Sequence, residues 1–411
     1  MTSNPGRRPV ASGAGPLRVV MLGPFGLEPK GTMRARALPA ARALAGRGHD
    51  VEIVMPPWHT PEVADRSWLD EASGVRLTYV SLQGLGAPVL GHGLVASRMT
   101  AAALAARPDV VHVFKPKAYG GLAAALLRMR QRAGGRFRLV MDTDDWEGRG
   151  GWNELEPYSA PQRWLFERQE RWGLRHADAV TVASRGLETL ALSLGVPARR
   201  VTYLPNAVWR DDAAAARATP AQGTEASGPP SLLLYTRFFE FSLPRPLEVL
   251  ERVRRQVPDA RLVVAGKGLF GEEKAFADLA VRMGLSDAVD VVGWLDEASA
   301  PAVMANADVA LFPVDDTLVN RTRSPMKLLD LLAAGVPVVG EAVGEVAEVI
   351  ENRVSGLLVP PGDVDSFAAA VVGLLADPRL RNAVSDAARE RIAVSYSWPS
   401  RVVDLEAAYR A

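Results

Sequence analysis

The strongest constraint on this chain is an alternation that runs through most of its length: short apolar runs rich in β-branched residues, each followed by a loop and a stretch of helical length. Residues 17–22 form the first run, and a Gly/Pro-rich loop and a helical stretch ending at Gly46 and Gly48 follow it. Further runs at 51–55, 75–80, 109–114, 138–141, 179–182 and 201–204 continue the series. Strands separated by helices return to the sheet in the same direction, so they pair in parallel and are covered on both faces. The expected class is α/β, built on a mostly parallel sheet.

Residues 211–230 interrupt the pattern with an Ala, Thr, Gly, Ser and Pro-rich stretch that reads as a linker. A second series then places strands at 231–236, 261–265, 289–292, 309–312 and 336–340, with helices at 247–256 and through Phe367, Ala370, Val371, Leu374 and Leu375. A chain of 411 residues, 48% of them hydrophobic, exceeds what one core usually organises. The expected order is a disordered lead-in at 1–16 without the apolar core of a secretory signal, a domain at 17–210, the linker, a domain at 231–395, and a C-terminal helix at 396–411 that packs back on the first domain. The carboxyl ends of the strands in two such domains flank a cleft, where α/β sheets bind ligands.

Composition removes several function classes. Lysine plus arginine number 48 against 47 acids, so there is no global field to attract nucleic acid. The absence of cysteine excludes disulfides, thiolate nucleophiles and Cys-based metal sites, and is compatible with a cytoplasmic location. No window approaches the roughly 18–20 apolar residues that span a bilayer. Arg34, Arg36, Arg42 and Arg47 on the first helix offer peripheral contact with the inner face of a membrane, or a solvated helix face.

The sharpest constellation is Ser324-Pro325-Met326-Lys327-Leu328-Leu329-Asp330-Leu331-Leu332-Ala333-Ala334-Gly335. It reads as a helix capped by Ser324, with Pro325 in the first turn and Gly335 at the end. Lys327 and Asp330 share the polar face. A lysine in the first turn opposes the helix dipole, which suggests an anion that offsets it. Free backbone N–H groups, the Ser324 hydroxyl and Lys327 suit a diphosphate, and Asp330 suits ribose hydroxyls; an amphipathic helix with a surface ion pair is the competing reading.

These residues, with Ala334-Gly335-Val336-Pro337, Gly344-Glu345, Ser355-Gly356-Leu357-Leu358 and Tyr396-Ser397-Trp398, resemble the donor site of retaining glycosyltransferases of the GT-B fold, family four. The resemblance covers most of 231–400 and, more loosely, the N-terminal half. It implies two Rossmann-like α/β/α domains facing each other across a cleft, and metal-independent transfer from a nucleoside-diphosphate sugar, with no other cofactor, to a glycan, lipid or small-molecule acceptor with retention of configuration.

The residues it implies are Arg237, Lys327 and His112 in catalysis, and Gly23, Gly31, Arg237, Lys267, Ser324, Lys327 and Asp330 on the donor. The acidic run Asp142-Thr143-Asp144-Asp145 after the 138–141 strand, with Lys115, is read as the acceptor side. His112 lies in an apolar run and equally suits a satisfied core histidine. Two departures stand out: Thr322 occupies the place of the family's first glutamate, with Asp315 or Asp316 as spatial substitutes, and the lysine expected after Arg237 is missing, with Arg245 or Lys267 as replacements. They motivate the alternative of a non-catalytic protein that binds a nucleotide sugar or a glycan.

Two other motifs are discounted. Gly266-Lys267-Gly268-Leu269-Phe270-Gly271 has the spacing of a dinucleotide fingerprint but sits in the second strand–helix unit of its domain, and Asp290 precedes its strand instead of following it. Asp142-Thr143-Asp144 imitates the metal-binding acid pair of single-domain glycosyltransferases, which need no second α/β domain.

Overall fold

The computed structural model describes residues 15–28, 31–83, 88–209, 228–296 and 298–411. Nearly all of the expected lead-in and linker lies outside these residues. The described residues fall into two compact units. Unit 1 comprises those within Met1–Pro205, Thr322–Ser324 and Arg401–Ala411, and unit 2 those within Asn206–Arg321 and Pro325–Ser400.

Unit 1 is built on strands β1 (Arg18–Leu22), β2 (Asp50–Met55), β3 (Ser67–Leu69), β4 (Arg76–Tyr79), β5 (Val110–Phe114), β6 (Arg138–Thr143), β7 (Ala179–Val182) and β8 (Val201–Tyr203), in the order β3-β4-β2-β1-β5-β6-β7-β8. All pairings are parallel except β3 with β4 at one edge. Every residue of Val110–Phe114 is buried, as a strand covered on both faces requires. The order reverses between β1 and β5, and such a switch point opens a crevice at the carboxyl ends of its strands.

Unit 2 repeats the plan with β9 (Ser231–Thr236), β10 (Arg261–Gly266), β11 (Val289–Gly293), β12 (Val309–Phe312), β13 (Val338–Glu341) and β14 (Leu357–Val359), in the order β11-β10-β9-β12-β13-β14. All are parallel, and the switch point lies between β9 and β12. Phe367, Val371 and Leu374 of the helix Val364–Ala376 pack on one face of this sheet, and Leu328, Leu331 and Leu332 of the helix Met326–Ala334 lie in the core on the other.

The first helix departs from expectation. It opens with a π-helical turn, Met33–Ala37, before the α-helix Leu38–Ala45. Its arginines form no basic face: Arg34 pairs with Glu28, Arg42 with Asp70 at 2.8 Å, Arg47 with Glu406 at 2.7 Å, and Arg36 is buried. Every one has an acid to neutralise it, so the reading of this helix as a membrane contact is corrected. Among the described residues no helix is long and apolar enough to cross a membrane.

Candidate functional site

In unit 2 the candidate site gathers around the start of the helix Met326–Ala334. Gly335 ends this helix in the left-handed region at φ +76°, as a C-terminal glycine should. The cap differs from expectation: Pro325 holds that position in an extended conformation, with no side-chain hydrogen bond, and Ser324 is buried one residue further out. Lys327 occupies the first turn, and its Nζ lies 3.2 Å from the centroid of the Tyr235 ring and 5.7 Å from that of Trp294. The offset demanded by a cation at the positive end of a helix is thus supplied in part by two aromatic faces. Tyr235 feels the charge of Asp330 as well: burial first, and then that carboxylate, push its phenol up to about 12. Trp294, just past β11, is 65% exposed, an unusual fate for the largest apolar side chain.

Arg237 follows β9 in a turn organised by Glu240, whose carboxylate accepts the Arg237 backbone N–H at 3.2 Å and the Thr236 hydroxyl at 3.1 Å. Its guanidinium lies 6.0 Å from the Phe239 ring. Gly266, paired with Thr236 across the sheet, has φ +144°, and a Cβ there would sit 1.8 Å from the Thr236 carbonyl oxygen. Only glycine closes the sheet at this end.

The spatial substitutes named from the sequence are engaged elsewhere. Arg245 forms ion pairs with Asp315 at 2.6 Å and with Glu341 at 2.9 Å, and Asp316 pairs with Arg321 at 2.6 Å. Glu341, fully buried at the end of β13, also accepts the backbone N–H groups of Val314 at 2.6 Å and Gly362 at 2.7 Å. One carboxylate therefore ties together the loops after β12 and β14 and the cation offered for the missing lysine. Thr322 lies in unit 1, where its carbonyl accepts the Ser184 hydroxyl at 2.8 Å.

Lys267 is exposed in the loop after β10. That loop cannot cradle a dinucleotide as it stands, because the N–H of Gly268 donates to Glu273 and that of Phe270 to Glu272, at 2.9 and 2.7 Å. The chain's own carboxylates occupy the anion-binding amides.

In unit 1 the expected residues come together at the carboxyl ends of β5 and β6, but most are bound to one another. Arg36, on the π-helical turn, makes a bidentate pair with Asp142 at 2.8 and 2.6 Å, and both are almost completely buried. Asp142 also accepts the Thr181 hydroxyl at 2.6 Å. This corrects the assignment of Asp142 to an acceptor: its oxygens are already saturated inside the unit.

His112 is likewise enclosed, with Nδ1 2.9 Å from the Tyr409 hydroxyl and Nε2 3.2 Å from that of Thr181. Burial first, and the nearby Arg36, pull it down to about 4 against the opposing charge of Asp142, so it is a neutral core imidazole. Gly23 does not face open space: its missing side chain makes room for Met33, whose sulfur would lie 2.2 Å from a Cβ there, whereas a Cβ at Gly31 would meet nothing.

Lys115 reaches Asp145 at 2.7 Å, Glu147 at 3.3 Å and Asp144 at 3.4 Å, and Lys117 reaches Glu147 at 2.6 Å. Burial would discharge Lys115, but the surrounding carboxylates hold it well above its ordinary range. Asp144 rises to about 6, chiefly through burial. It accepts the Thr32 hydroxyl at 3.0 Å. Asp145 is lowered, because the Lys115 charge and hydrogen bond outweigh its burial.

Beneath them Glu170, fully buried, is pushed up to about 8 by burial and then by the Glu147 charge. The geometry agrees. The Thr143 hydroxyl lies 3.1 Å from the Asp145 carbonyl and 2.8 Å from Glu170, yet has one hydrogen. A protonated Glu170 satisfies both contacts, donating to Thr143 while Thr143 donates to the carbonyl, whereas the ionised form leaves one hydroxyl hydrogen shared between two acceptors. Sequence reading missed Arg36, Glu170, Tyr235, Trp294 and Glu341. Only the apolar flanks of Arg36, Ala35 and Ala37-Leu38, hinted at burial.

Comparison with known proteins agrees with this architecture. Residues 31–207 match the family described as glycosyl transferase 4-like domain, and residues 242–377 that described as glycosyl transferases group 1. The chain belongs to the group 1 glycosyltransferases. It is 28% identical over 386 residues to the GDP-mannose-dependent alpha-(1-6)-phosphatidylinositol monomannoside mannosyltransferase of Mycobacterium tuberculosis, covering 89% of this chain and 90% of that one. It is also 28% identical over 231 residues to glycogen synthase of the same species, spanning 56% of this chain and about half, 53%, of that protein's length.

Among solved structures, sucrose-phosphate synthase from Thermosynechococcus elongatus superposes with a TM-score of 0.66 at 20% identity, covering 96% of this chain and 98% of that one. Anabaena HepE in complex with UDP and glucose gives 0.66 at 15%, covering 95% and 98%. These likenesses show the fold: two parallel-sheet α/β domains of the GT-B type.

Proposed function

We propose that the chain moves a sugar from a nucleoside-diphosphate sugar to an acceptor hydroxyl, with retention of configuration and without a metal ion or cofactor. The observation that carries this reading is the Lys327 ammonium in the first turn of its helix, beside Tyr235 and Trp294. Lys327, Arg237 and the positive end of the helix dipole stabilise the charge that develops on the departing diphosphate. Asp330 takes the ribose hydroxyls, Trp294 offers its open ring to the base, and Ser324, Lys267 and Gly31 remain donor-side candidates. A diphosphate oxygen accepts the proton of the acceptor hydroxyl, so no protein base is required. Asp144 and Asp145 are the acceptor-side acids that Arg36 leaves available. Such donors are cytoplasmic metabolites, and the protein is expected to work there.

The mannosyltransferase relative makes GDP-mannose the first donor to try, and the UDP complexes of HepE make UDP-glucose the second. A thermal-shift panel of GDP-, UDP- and ADP-sugars identifies the donor, since a ligand that binds only the folded state raises the melting temperature by mass action. With that donor, Lys327→Ala and Arg237→Ala are expected to slow transfer by about a hundredfold, the usual cost of one oxyanion donor, while unfolding changes little. Wild-type rates in both variants would remove this assignment.

The alternative, a non-catalytic binder of nucleotide sugars, draws support from Thr322 in place of a glutamate and from the ion pairs that occupy Asp315 and Asp316. Tight donor binding with neither transfer to any acceptor nor slow donor hydrolysis would favour it.

A further inference from the structure

Three rings of unit 1 stand outside every arrangement described so far. β2 and β5 lie on either side of β1, where the crevice of this sheet opens. Pro56 and Pro57, both buried, fix the chain just past β2, and Trp58 follows them, 46% exposed. Tyr119 lies at the start of the helix Ala118–Arg132 after β5, and His92 near the start of the helix Pro88–Ala105 after β4. The Trp58 ring is 5.7 Å from that of His92 and 5.7 Å from that of Tyr119, and the latter two are 5.3 Å apart. Side chains that follow strands on both sides of β1 therefore meet at its carboxyl end.

Trp68 shows what a ring with a packing role looks like in this unit: it stacks on Tyr79 at 5.5 Å and 15°. The three crevice rings are inclined to one another by 45°, 48° and 53°, so none lies flat on its neighbour. Tyr119 is buried, and its hydroxyl lies 2.9 Å from His92 Nδ1, which holds the imidazole in place. With the tyrosine donating, the imidazole hydrogen sits on Nε2. Neither that N–H nor the indole N–H of Trp58 has a hydrogen-bond partner among the described residues.

We propose that Trp58, His92 and Tyr119 form a platform for one pyranose ring, so that the acceptor is a glycoside; the acceptor role rests on the transfer reading above. One face of a pyranose is made of C–H groups with slight positive charge, and an aromatic face is negative, so the two attract. Sugar hydroxyls at the rim take the Trp58 and His92 N–H groups. An acyl chain would cover the same rings but leave both donors without a partner, which decides against it. Just past β6, Asp144 Oδ1 is buried and ion-paired with Lys115 at 3.4 Å, yet accepts no hydrogen bond, so a hydroxyl of the same acceptor can donate to it.

The test is saturation-transfer NMR on the full chain, without donor, using the methyl glycosides of glucose, mannose and galactose, with hexanol as the apolar control. The ring C–H protons of at least one glycoside should be saturated from the protein, and those of hexanol should not. Trp58→Ala should weaken binding of that glycoside by about tenfold, and His92→Ala by less, with melting curves near that of the parent. Trp58→Phe, which keeps a π face, should bind nearly as the parent does. With the donor found by thermal shift, the same glycoside should accept the sugar, and Trp58→Ala should raise its KM by about tenfold. No saturation of any glycoside, or equal saturation in the parent and Trp58→Ala, overturns the platform. So does saturation of hexanol in preference to the glycosides. Because the binding measurement uses no donor, a parent that binds a glycoside but transfers sugar to none overturns the transfer reading and leaves the sugar site standing.

Discussion

The two charged constellations of this molecule are organised in opposite ways. In unit 1, Arg36, Asp142, Lys115, Lys117, Glu147 and Glu170 satisfy one another in the interior, and little is left for a ligand. In unit 2, Lys327 rests on aromatic faces, and the Trp294 ring beside it is mostly open. A buried ion pair repays its desolvation only while both partners remain, so the first arrangement is a structural commitment. A cation on aromatic rings loses little when a phosphate arrives, because the rings neutralise none of its charge. The charged residues thus divide into those that neutralise one another in the core and one that is held against aromatic faces.

The largest expected effect breaks the first arrangement. Arg36→Ala leaves Asp142 buried and uncompensated, which should cost about 3–5 kcal/mol. At that size the melting midpoint of unit 1 falls by about 10 °C in calorimetry. Lys327→Ala, tested in parallel, should move the midpoint by less than about 3 °C, because one part-exposed cation–π contact contributes about 1 kcal/mol. Similar losses in the two variants would erase the distinction between holding and binding residues.

A smaller effect sharpens the second arrangement. Trp294→Ala should raise the KM for the donor by about tenfold with kcat little changed, as expected when one stacked base loses its platform. Trp294→Phe should recover most of the loss. If KM is unaltered and the free nucleoside diphosphate binds Trp294→Ala as it binds the parent, the ring is no part of the donor site.

The fold was far more legible in the sequence than these sites. Periodicity placed twelve of the strands, because a strand buried on both faces must be apolar throughout. It missed β3, three exposed residues at a sheet edge, and β14, three residues of which only Val359 is buried. The Lys327 helix was readable from its end signals, although Pro325 and not Ser324 took the cap. What the sequence could not convey was which charges meet. Arg36 reaches Asp142 across 106 residues, and His112 reaches Tyr409 across 297, so neither pairing leaves a local pattern. An arginine on a helix looks solvated until the strand that carries its partner is placed beside it.

The most gradual effect concerns the proton on Glu170. In the folded chain it is held up to about pH 8, whereas an unperturbed glutamate releases it near 4.5. Between those values unfolding releases a proton, so this group makes stability fall as pH rises, by at most about 1.4 kcal/mol for each pH unit. Glutamine keeps the shape and stays neutral, and its amide can donate to Thr143 while its oxygen accepts the Glu147 N–H. Glu170→Gln should therefore melt like the parent near pH 5 and increasingly above it toward pH 8, the gap closing on the acid side, where the parent carboxyl is protonated in both states. Parallel melting curves for the two proteins across that range would mean that Glu170 is ionised in the fold. The contact between Thr143 and Glu170 would then be donated by threonine, and the closed network of unit 1 would carry one more negative charge than its geometry implies.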